Sequence, residues 1–338
     1  MPGPAILTTV VGSYPSPAWL VAQPSRQALR DALYVVLKTQ ELAGIDLLAD
    51  GELYRFDWNH PETNGMIDYF IRPLSGVRTE LSLAELEAFR AEAGLAYRAA
   101  PAGLVEGPLG PGTLNLPAAW EQVRGATRGR LKFTVTGPHM LAKVLCDRHY
   151  GHPAKVALAL AELLAEQVAR IDAEVIQLDE ANITGHPDEA DWAAEALNRV
   201  LDAAPGTAAL HLCFGNYGGQ TIQRGTWAKL IGFINGLRVD HVVLETARRA
   251  PEELEALRAI RPEIGIGLGV IDIKDLTIET PDEVAARIER GAAVLGPERL
   301  RYVHPDCGFW MLPRSVADGK MRALVAGRDL YLGRFQST

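Results

Sequence analysis

The stretch Ala208-Ala209-Leu210-His211-Leu212-Cys213, followed by Phe214-Gly215-Asn216, is an apolar run that ends in an imidazole, a thiol and a turn. Its length and the glycine after it are typical of a buried β-strand. Side chains alternate between the two faces of a strand, so residues two apart point the same way. The stretch therefore predicts a strand whose carboxyl end brings His211 and Cys213 together as metal ligands.

Two other apolar runs end in further ligand types. The run Val242-Val243-Leu244 ends in Glu245, and the run before His304 leads into Pro305-Asp306-Cys307. Together these segments supply two sulfurs, one nitrogen and one carboxylate oxygen. That set suits four-coordinate zinc better than magnesium, calcium or an iron–sulfur cluster. Taken singly, each residue has an alternative interpretation as an ordinary core side chain.

The same form, an apolar run with a polar end followed by a helical segment, recurs along the chain. Strands that alternate with helices predict parallel β-α-β units, and eight such units predict a closed (β/α)8 barrel, the TIM barrel fold. Helical patterns lie at 25–43, 153–172, 188–204, 227–235, 251–260 and 314–330, and the predicted strands are 6–11, 46–50, 131–136, 175–178, 208–213, 242–245, 264–270 and 300–303.

One segment interrupts this alternation. Residues from about 55 to about 130 separate the second and third strands, far more than an ordinary crossover needs. The segment contains a helical pattern at 82–96 and a passage rich in glycine and proline at 101–117. We interpret residues 1–338 as a single barrel domain in which this insertion packs over one end. The alternative, an independent second domain, is disfavoured because the segment has few apolar residues for a separate core.

Composition excludes several classes of protein. The chain has 338 residues, 48% of them hydrophobic and 22% charged, which is typical of a globular protein with a full core. Its formal net charge of −8 argues against a nucleic-acid or anionic-membrane partner, since both select a basic surface. No apolar run suggests a signal peptide or a membrane span. Three cysteines are an odd number for a disulfide framework, so we expect a reducing cytoplasm, with Cys146 an incidental thiol.

Polar residues collect at the carboxyl ends of the predicted strands, where barrels of this type build their active sites. Solvation of loops explains about half of these residues but not the cysteines. The candidate site residues are Ser13, Glu52, His139, Asp179, Glu180, His211, Cys213, Glu245, Asp272, Lys274, His304, Asp306 and Cys307.

Seven short stretches of the chain, which include most of these candidate residues, together resemble the catalytic C-terminal barrel of the cobalamin-independent methionine synthase family. They also resemble the short relatives of that family, which lack the N-terminal domain. The order His-x-Cys, Glu and Cys on three strands is a specific motif of the family, whereas each of the other stretches alone is weak evidence for it. The matching stretches run from residue 8 to residue 308 and are 8–15, 50–52, 176–180, 211–213, 244–246, 269–273 and 305–308.

The resemblance implies a role for each matching residue. His211, Cys213, Glu245 and Cys307 would be the zinc ligands. Glu52 and Asp179 match carboxylates that hold the amino group of homocysteine, and Ser13 matches the loop that binds its carboxylate. Two acids suit an ammonium group, and backbone donors after a glycine suit a carboxylate. An alternative for Asp179 is a helix N-terminal turn, which also favours acids.

The implied chemistry is transfer of a methyl group to the thiol of homocysteine, giving methionine. A free thiol has a pKa of about 8.5, whereas zinc favours its thiolate form. The resemblance also places Asp272 and Lys274 at catalytic positions on the seventh strand, where the family has an aspartate and a proton-donating histidine. Lys274 has an equal alternative as a structural partner of Asp272.

Three departures from the family bear on the methyl donor. The chain begins at the first strand of the catalytic barrel, Lys274 replaces the proton-donating histidine, and residues 137–145 lack the tryptophan that lies against the pterin. These departures favour methylcobalamin or a methylated corrinoid protein as donor, because departure of reduced cobalamin needs no such proton. Methyltetrahydrofolate is the alternative donor.

Three other functions are weighed against this one. A relative that opens epoxides with coenzyme M would want Arg or Lys near the substrate, and Arg55 and Lys274 keep that alternative open. A zinc-binding or methyl-carrier-binding protein without turnover is a second alternative. A metal-dependent hydrolase is disfavoured, because such barrels usually carry a His-x-His pair where this chain has Gly12-Ser13-Tyr14.

Overall fold

The computed structural model describes residues 6–57, 60, 63–92, 100–216 and 220–333. Its strands in chain order are β1 Leu7–Thr8, β2 Leu47–Leu48, β3 Ser75–Arg78, β4 Gly103–Gly110, β5 Arg130–Thr136, β6 Leu145–Asp147, β7 Val175–Glu180, β8 Thr207–Leu212, β9 His241–Leu244, β10 Gly265–Ile271 and β11 Leu300–Pro305.

Helices alternate with most of these strands. They are α1 Ala18–Ala22, α2 Arg26–Ala43, α3 Asp68–Ile71, α4 Leu83–Glu92, α5 Leu116–Arg124, α6 Pro138–Lys143, α7 Pro153–Val168, α8 Ala190–Leu201, α9 Ile231–Asn235, α10 Pro251–Ala256, α11 Pro281–Leu295 and α12 Arg314–Tyr331.

Eight strands form one parallel sheet in the order β1-β11-β10-β9-β8-β7-β5-β2. Parallel bridges from Thr9 to Leu47 and from Ser13 to Gly51 join its two edges and close it. The expected (β/α)8 barrel is therefore confirmed. The last bridge also sets Ser13 beside the turn that carries Glu52, which brings the first two candidate site residues to one end of the barrel.

Each predicted strand corresponds to an observed one, with small shifts at the ends. The largest consequence concerns β8, which ends at Leu212, so Cys213 is the first residue beyond it. Glu245 likewise follows the last residue of β9. Of the predicted metal ligands, His211 therefore lies within a strand, whereas Cys213 and Glu245 lie in the turns that follow strands.

Local sequence signals account for the helix ends. Ser25 caps α2, its side chain accepting a hydrogen bond from the backbone N–H of Ala28. Gly44 ends the helix with a φ of 84°, a conformation that glycine adopts without a Cβ penalty. Helix α11 lies outside the predicted helical segments, although Thr280 and Glu283 form a capping box at its start. The shorter helices α1, α3, α5 and α6 were not predicted either.

The barrel interior is layered. Its lower layer is apolar and consists of Leu47, Val175, Ala209 and Tyr302. Above it the side chains become polar: Lys132 is buried, and its ammonium donates a hydrogen bond to Gln177 at 2.7 Å. Burial lowers the pKa of Lys132 to about 7. A hydrophobic floor with a polar layer above it leaves the carboxyl-terminal end of the barrel open for chemistry.

The segment between the second and third barrel strands has two parts. Its strands β3 and β4 pair antiparallel, and β4 pairs in parallel with β6, so a small sheet unites the segment with the chain after β5. Its last helix, α5, packs against α7, and Trp120 contacts Phe133 of β5 edge-on. That helix occupies the place of an ordinary barrel helix, so the extra structure lies before it.

The apolar residues of the segment join the barrel core rather than forming another one. Phe70, Ile71 and Val105 are buried in the same cluster as the residues behind the barrel strands. The single-domain organisation stays a prediction, which this continuity supports. Helix α4 covers 83–92 of the predicted 82–96, and residues 93–96 lie outside the described part of the chain. Within the described residues, every helix is too short or too polar to cross a lipid bilayer.

Candidate active site and metal centre

Three predicted metal ligands converge above the polar layer of the barrel. The ligand atoms of His211, Cys213 and Cys307 all lie within 4.8 Å of one another. The two sulfur atoms are 3.9 Å apart, too far for a disulfide, and both cysteines are free. Zinc–sulfur bonds of about 2.3 Å in a tetrahedron separate two sulfurs by about 3.8 Å, so the spacing fits a shared zinc ion.

The imidazole of His211 is oriented as a ligand. Its Nδ1 hydrogen-bonds to the carbonyl oxygen of Val243 at 3.0 Å, which leaves Nε2 to face the sulfurs. Nε2 is buried and has no hydrogen-bond partner among the described residues. An unpaired polar atom of this kind is costly unless something binds it, and a metal ion would do so.

The thiols need a cation to ionise. The neighbouring Cys307 and burial together raise the pKa of the Cys213 thiol well above its usual value. Two thiolates at this distance repel one another in a medium of low dielectric constant. A divalent ion is the group that reverses this balance, because it deprotonates coordinating thiols.

Glu245, the predicted fourth ligand, lies outside this group of three. Its Oε1 is 2.7 Å from the ammonium of Lys274, and its Oε2 accepts a hydrogen bond from the backbone N–H of Phe214 at 3.0 Å. The side chains of Glu245 and Lys274 are both 2% exposed. Both carboxylate oxygens therefore already have partners within the protein.

Asp272 and Lys274 do not pair through their side chains. The backbone N–H of Lys274 donates to Asp272 Oδ1 at 2.8 Å, while Asp272 Oδ2 lies 3.3 Å from Arg248. Neither Asp272 nor Lys274 is among the residues that line the cavity containing His211, Cys213 and Cys307. The catalytic role of these two residues stays a prediction.

Glu52 and Asp179, the predicted ammonium ligands, lie in one cavity with the metal-ligand group. Thr134 donates to Glu52 Oε1 at 2.6 Å, and Gln177 donates to Asp179 Oδ1 at 2.7 Å. Burial and the nearby charge of Glu52 raise the pKa of Asp179 to about 6. The guanidinium of Arg55 lies 3.4 Å from Glu52, so the buried carboxylate of Asp179 is the one that most favours a further cationic ligand.

Two glycines leave room for the side chains of Glu52 and Ser13. A Cβ on Gly12 would lie 2.2 Å from Glu52 Oε1, so glycine is required there for the carboxylate to fit. A Cβ on Gly308 would lie 2.0 Å from the hydroxyl of Ser13. Ser13 lines the cavity, and its carbonyl oxygen accepts a hydrogen bond from the N–H of Phe309.

The cavity wall also contains aromatic and sulfur-containing side chains that were not among the predicted site residues. The rings of Phe56 and Trp310 stack with their centroids 5.8 Å apart and an interplanar angle of 29°. Both rings are partly exposed and line the cavity, as does Met140. Trp310 follows Cys307 by three residues, and Phe56 follows Glu52 by four; that proximity to site residues was the available signal.

Comparison with known proteins places this arrangement in a family. The family model described as "Cobalamin-independent synthase, Catalytic domain" matches residues 6–327. The chain belongs to this family. Its members include methyltransferases, and the chain is an enzyme of that class. The resemblance inferred from the sequence motifs is therefore confirmed.

Relatives match this synthase-family chain over nearly its whole length. The methionine synthase of Thermococcus kodakarensis is 29% identical over 348 residues, covering 97% of this chain and 94% of that protein. The methionine synthase of Sulfurisphaera tokodaii is 28% identical, with coverages of 97% and 93%.

Two solved structures share the fold of this synthase-family chain. The B12-independent methionine synthase from Shewanella sp. W3-18-1, in complex with selenomethionine, has a TM-score of 0.78 at 24% identity, covering 97% of this chain and 98% of that one. A methyltransferase from Methanosarcina mazei has a TM-score of 0.62 at 14% identity, with coverages of 98% and 95%.

The family description bears on the methyl donor. A cobalamin-independent family does not support the corrinoid donor that the departures from the family motifs favoured. It favours the alternative, methyltetrahydrofolate. The absent tryptophan and the replaced histidine remain departures from the family motifs, and the identity of the methyl donor stays a prediction.

His139, at the carboxyl end of β5, is a buried charge centre rather than a cavity residue. Its Nε2 hydrogen-bonds to Glu189 at 2.8 Å, and its Nδ1 lies 3.1 Å from Glu180 Oε1 without the alignment of a hydrogen bond. Burial opposes the charged form, but Glu180 and Glu189 more than offset it and raise the pKa of His139 to about 9.

We expect His139 to make stability fall between neutral and alkaline pH. A pKa raised from 6.5 to about 9 contributes on the order of 3 kcal/mol below pH ~6.5, lost as pH rises through ~9. Urea unfolding of wild type and His139→Gln should therefore differ most near pH 7 and converge near pH 10. Two curves that stay parallel over this range would contradict the proposed charge on His139.

Proposed function

We propose that the chain is a zinc-dependent methyltransferase that transfers a methyl group to the thiol of homocysteine, giving methionine. The observation that carries the proposal is the unpaired Nε2 of His211, which faces two sulfurs at zinc spacing in the same cavity as two buried acids. Zinc bound there would act as a Lewis acid and favour the thiolate form of an incoming thiol.

The residues around the cavity supply binding and orientation. Asp179 and Glu52 would accept hydrogen bonds from the ammonium group of homocysteine, and the turn at Ser13 would face its carboxylate. An amino acid held at these two points directs its side-chain thiol toward His211 and the two cysteines. Fixing the nucleophile in this way replaces a bimolecular encounter by an oriented one.

The stacked pair of Phe56 and Trp310 supports a flat heteroaromatic donor. An aromatic face at the cavity wall suits the pterin ring of methyltetrahydrofolate, and it lies at a different position from the tryptophan missing in 137–145. Together with the family description, this pair favours methyltetrahydrofolate over methylcobalamin as the methyl donor.

Coenzyme M chemistry finds less support in the cavity. The sulfonate of coenzyme M would bind best to a cation without a carboxylate partner. The buried guanidinium of Arg55 already hydrogen-bonds to Thr134 and lies 3.4 Å from Glu52. Lys274 is paired with Glu245. The two cations that kept this alternative open are therefore already neutralised by carboxylates of the chain.

A direct comparison of donors tests the proposal. We expect purified protein with measured zinc content to form methionine from homocysteine with methyltetrahydrofolate, and more slowly or not at all with methylcobalamin. Faster turnover with methylcobalamin would support the corrinoid donor instead. Failure with both donors, in protein that contains zinc, would overturn the proposed function.

Removing the aromatic face should weaken donor binding specifically. We expect Trp310→Ala to raise the KM for the methyl donor roughly tenfold, since a lost aromatic stack is worth about 1 kcal/mol or slightly more. The KM for homocysteine should change little. Trp19→Ala is the matched control, because Trp19 is 41% exposed on α1 and does not line the cavity. An unchanged KM for the methyl donor in Trp310→Ala would show that Trp310 does not bind the donor.

A further inference from the structure

Glu52 has an unusual backbone conformation. Its φ is 60° and its ψ is 19°, in the left-handed region, and every other described residue with a positive φ is a glycine. A residue with a Cβ is strained there, whereas glycine is not. Strain of this kind is found mainly where a side chain has a function that glycine could not supply. The conformation of Glu52 therefore indicates that its carboxylate is needed at this point of the turn.

The carboxylate of Asp50 holds the turn in this conformation. The backbone N–H of Glu52 donates to Asp50 Oδ1 at 2.8 Å, and the hydroxyl of Tyr54 donates to Asp50 Oδ2 at 3.0 Å. An aspartate that accepts the N–H two residues further along fixes a tight turn. Asp50 is 2% exposed and is not among the residues that line the cavity. It therefore acts on the backbone of Glu52 and not on a ligand.

The turn decides where the Glu52 side chain lies. Gly51 has a φ of 78°, so two successive left-handed residues redirect the chain after β2. The Glu52 side chain then lies at the cavity, where its Oε1 accepts a hydrogen bond from Thr134 and is 3.4 Å from Arg55. Oε2 accepts no hydrogen bond from the part of the chain that the structure describes. Because the direction of the Cα–Cβ bond depends on φ, an extended backbone at Glu52 would move the carboxylate out of this place.

We propose that Asp50 is a positioning residue, which holds Glu52 in its left-handed conformation and thereby directs the Glu52 carboxylate to the ammonium group of the substrate. The inference rests on the proposed function for the identity of that substrate, an amino acid with a thiol. Asp50 acts as a hydrogen-bond acceptor rather than through its charge, since the N–H of Glu52 requires only an oxygen atom.

Substitutions of Asp50 separate the acceptor from the charge. Asparagine keeps an oxygen for the N–H of Glu52, and its amide can donate to the Tyr54 hydroxyl. Asp50→Asn should therefore keep the KM for homocysteine within about threefold of wild type. Asp50→Ala removes the acceptor and should raise this KM about tenfold, as expected for the loss of one well-formed hydrogen bond. The kcat should change by less than about threefold in both variants.

A substrate analogue and a control variant show whether the effect is specific. The thiol acid 4-mercaptobutanoate has no amino group, so its KM should be the same in wild type, Asp50→Asn and Asp50→Ala. General loosening of the cavity would raise the KM of both substrates. Asp147→Ala is the matched control, because Asp147 accepts the N–H of His149 at 2.9 Å with the same two-residue spacing, outside this cavity. It should leave both KM values unchanged.

A pair of substitutions at residue 52 tests the backbone strain separately. Glu52→Ala and Glu52→Gly both remove the carboxylate and differ only in the Cβ. The glycine variant should have a Tm higher by roughly 2 °C or more, because glycine is not strained in the left-handed region. Ala286 is exposed in helix α11, and Ala286→Gly should instead lower the Tm. Circular dichroism follows the unfolding of all variants.

The outcomes separate this inference from the proposed function. Equal KM values for homocysteine in Asp50→Ala and Asp50→Asn, or a Glu52→Gly protein no more stable than Glu52→Ala, would overturn the inference. If Asp50→Ala does not fold, Asp50→Ser decides, since its weaker acceptor should give an intermediate KM. A wild type that binds homocysteine no better than the thiol acid would overturn the ammonium site of the proposed function, whereas the stability difference at residue 52 would remain.

Discussion

Serine in place of Cys307 is expected to remove bound zinc and to lower methionine formation on the order of 1000-fold, because Lewis-acid catalysis contributes several kcal/mol. The cysteine sulfur lies 3.9 Å from that of Cys213 and completes the group around the unpaired His211 nitrogen. A hydroxyl is a poor replacement, since it does not ionise as a thiol does on zinc. Metal analysis and turnover on the same sample measure both effects.

Cys146→Ser is the matched control for this experiment. Cys146 is the third cysteine of the chain; it lies on β6, outside the cavity that contains the metal group. We expect this variant to keep its zinc and its activity, and Cys213→Ser to behave as Cys307→Ser. Full turnover in a zinc-free Cys307→Ser protein would overturn the metal-dependent mechanism.

The second large effect is expected in the acidic part of the cavity. Asp179→Asn should raise the KM for homocysteine by about 10- to 100-fold, because a hydrogen bond to a charged group contributes roughly 1.5–3 kcal/mol. The pKa of Asp179 is raised to about 6, so an assay at pH 8 compares the ionised carboxylate with a neutral amide. Glu52→Gln should act in the same direction.

A substrate without its amino group identifies the contact. The thiol acid 4-mercaptobutanoate is homocysteine lacking that group, so it should bind wild type and Asp179→Asn about equally. Asp202→Asn, which alters an exposed ion pair with Arg238, controls for the change of carboxylate to amide. If homocysteine and the thiol acid lose the same affinity in Asp179→Asn, then Asp179 does not bind the ammonium.

The barrel could be predicted because its signals are local. Each strand is an apolar run, and helices such as α2 have their own apolar spacing and caps, here Ser25 and Gly44. The missed helix α11 had such signals too, in Thr280 and Glu283. The small sheet of β3, β4 and β6 was not predictable in this way, because it pairs residues on both sides of a barrel strand.

The site was predictable in part for the same reason. His211, Cys213 and Cys307 stand at strand ends, and a parallel barrel gathers all its strand ends on one side. The contacts between residues that are far apart in the sequence could not be predicted. Nothing near Lys274 in the sequence indicates Glu245, and nothing near Phe56 indicates Trp310, since each pair is joined only by folding.

By itself, the amino-acid sequence determined the parallel barrel, the end of the barrel that gathers the candidate site residues, and the donor types of the proposed zinc site. These properties follow from hydrophobic periodicity and from residue type at strand ends, which act over a few residues. Only the tertiary structure decided that Lys274 neutralises Glu245 and that two aromatic rings face the cavity. Electrostatic pairing and ring stacking depend on distances across the barrel, which the order of residues does not contain.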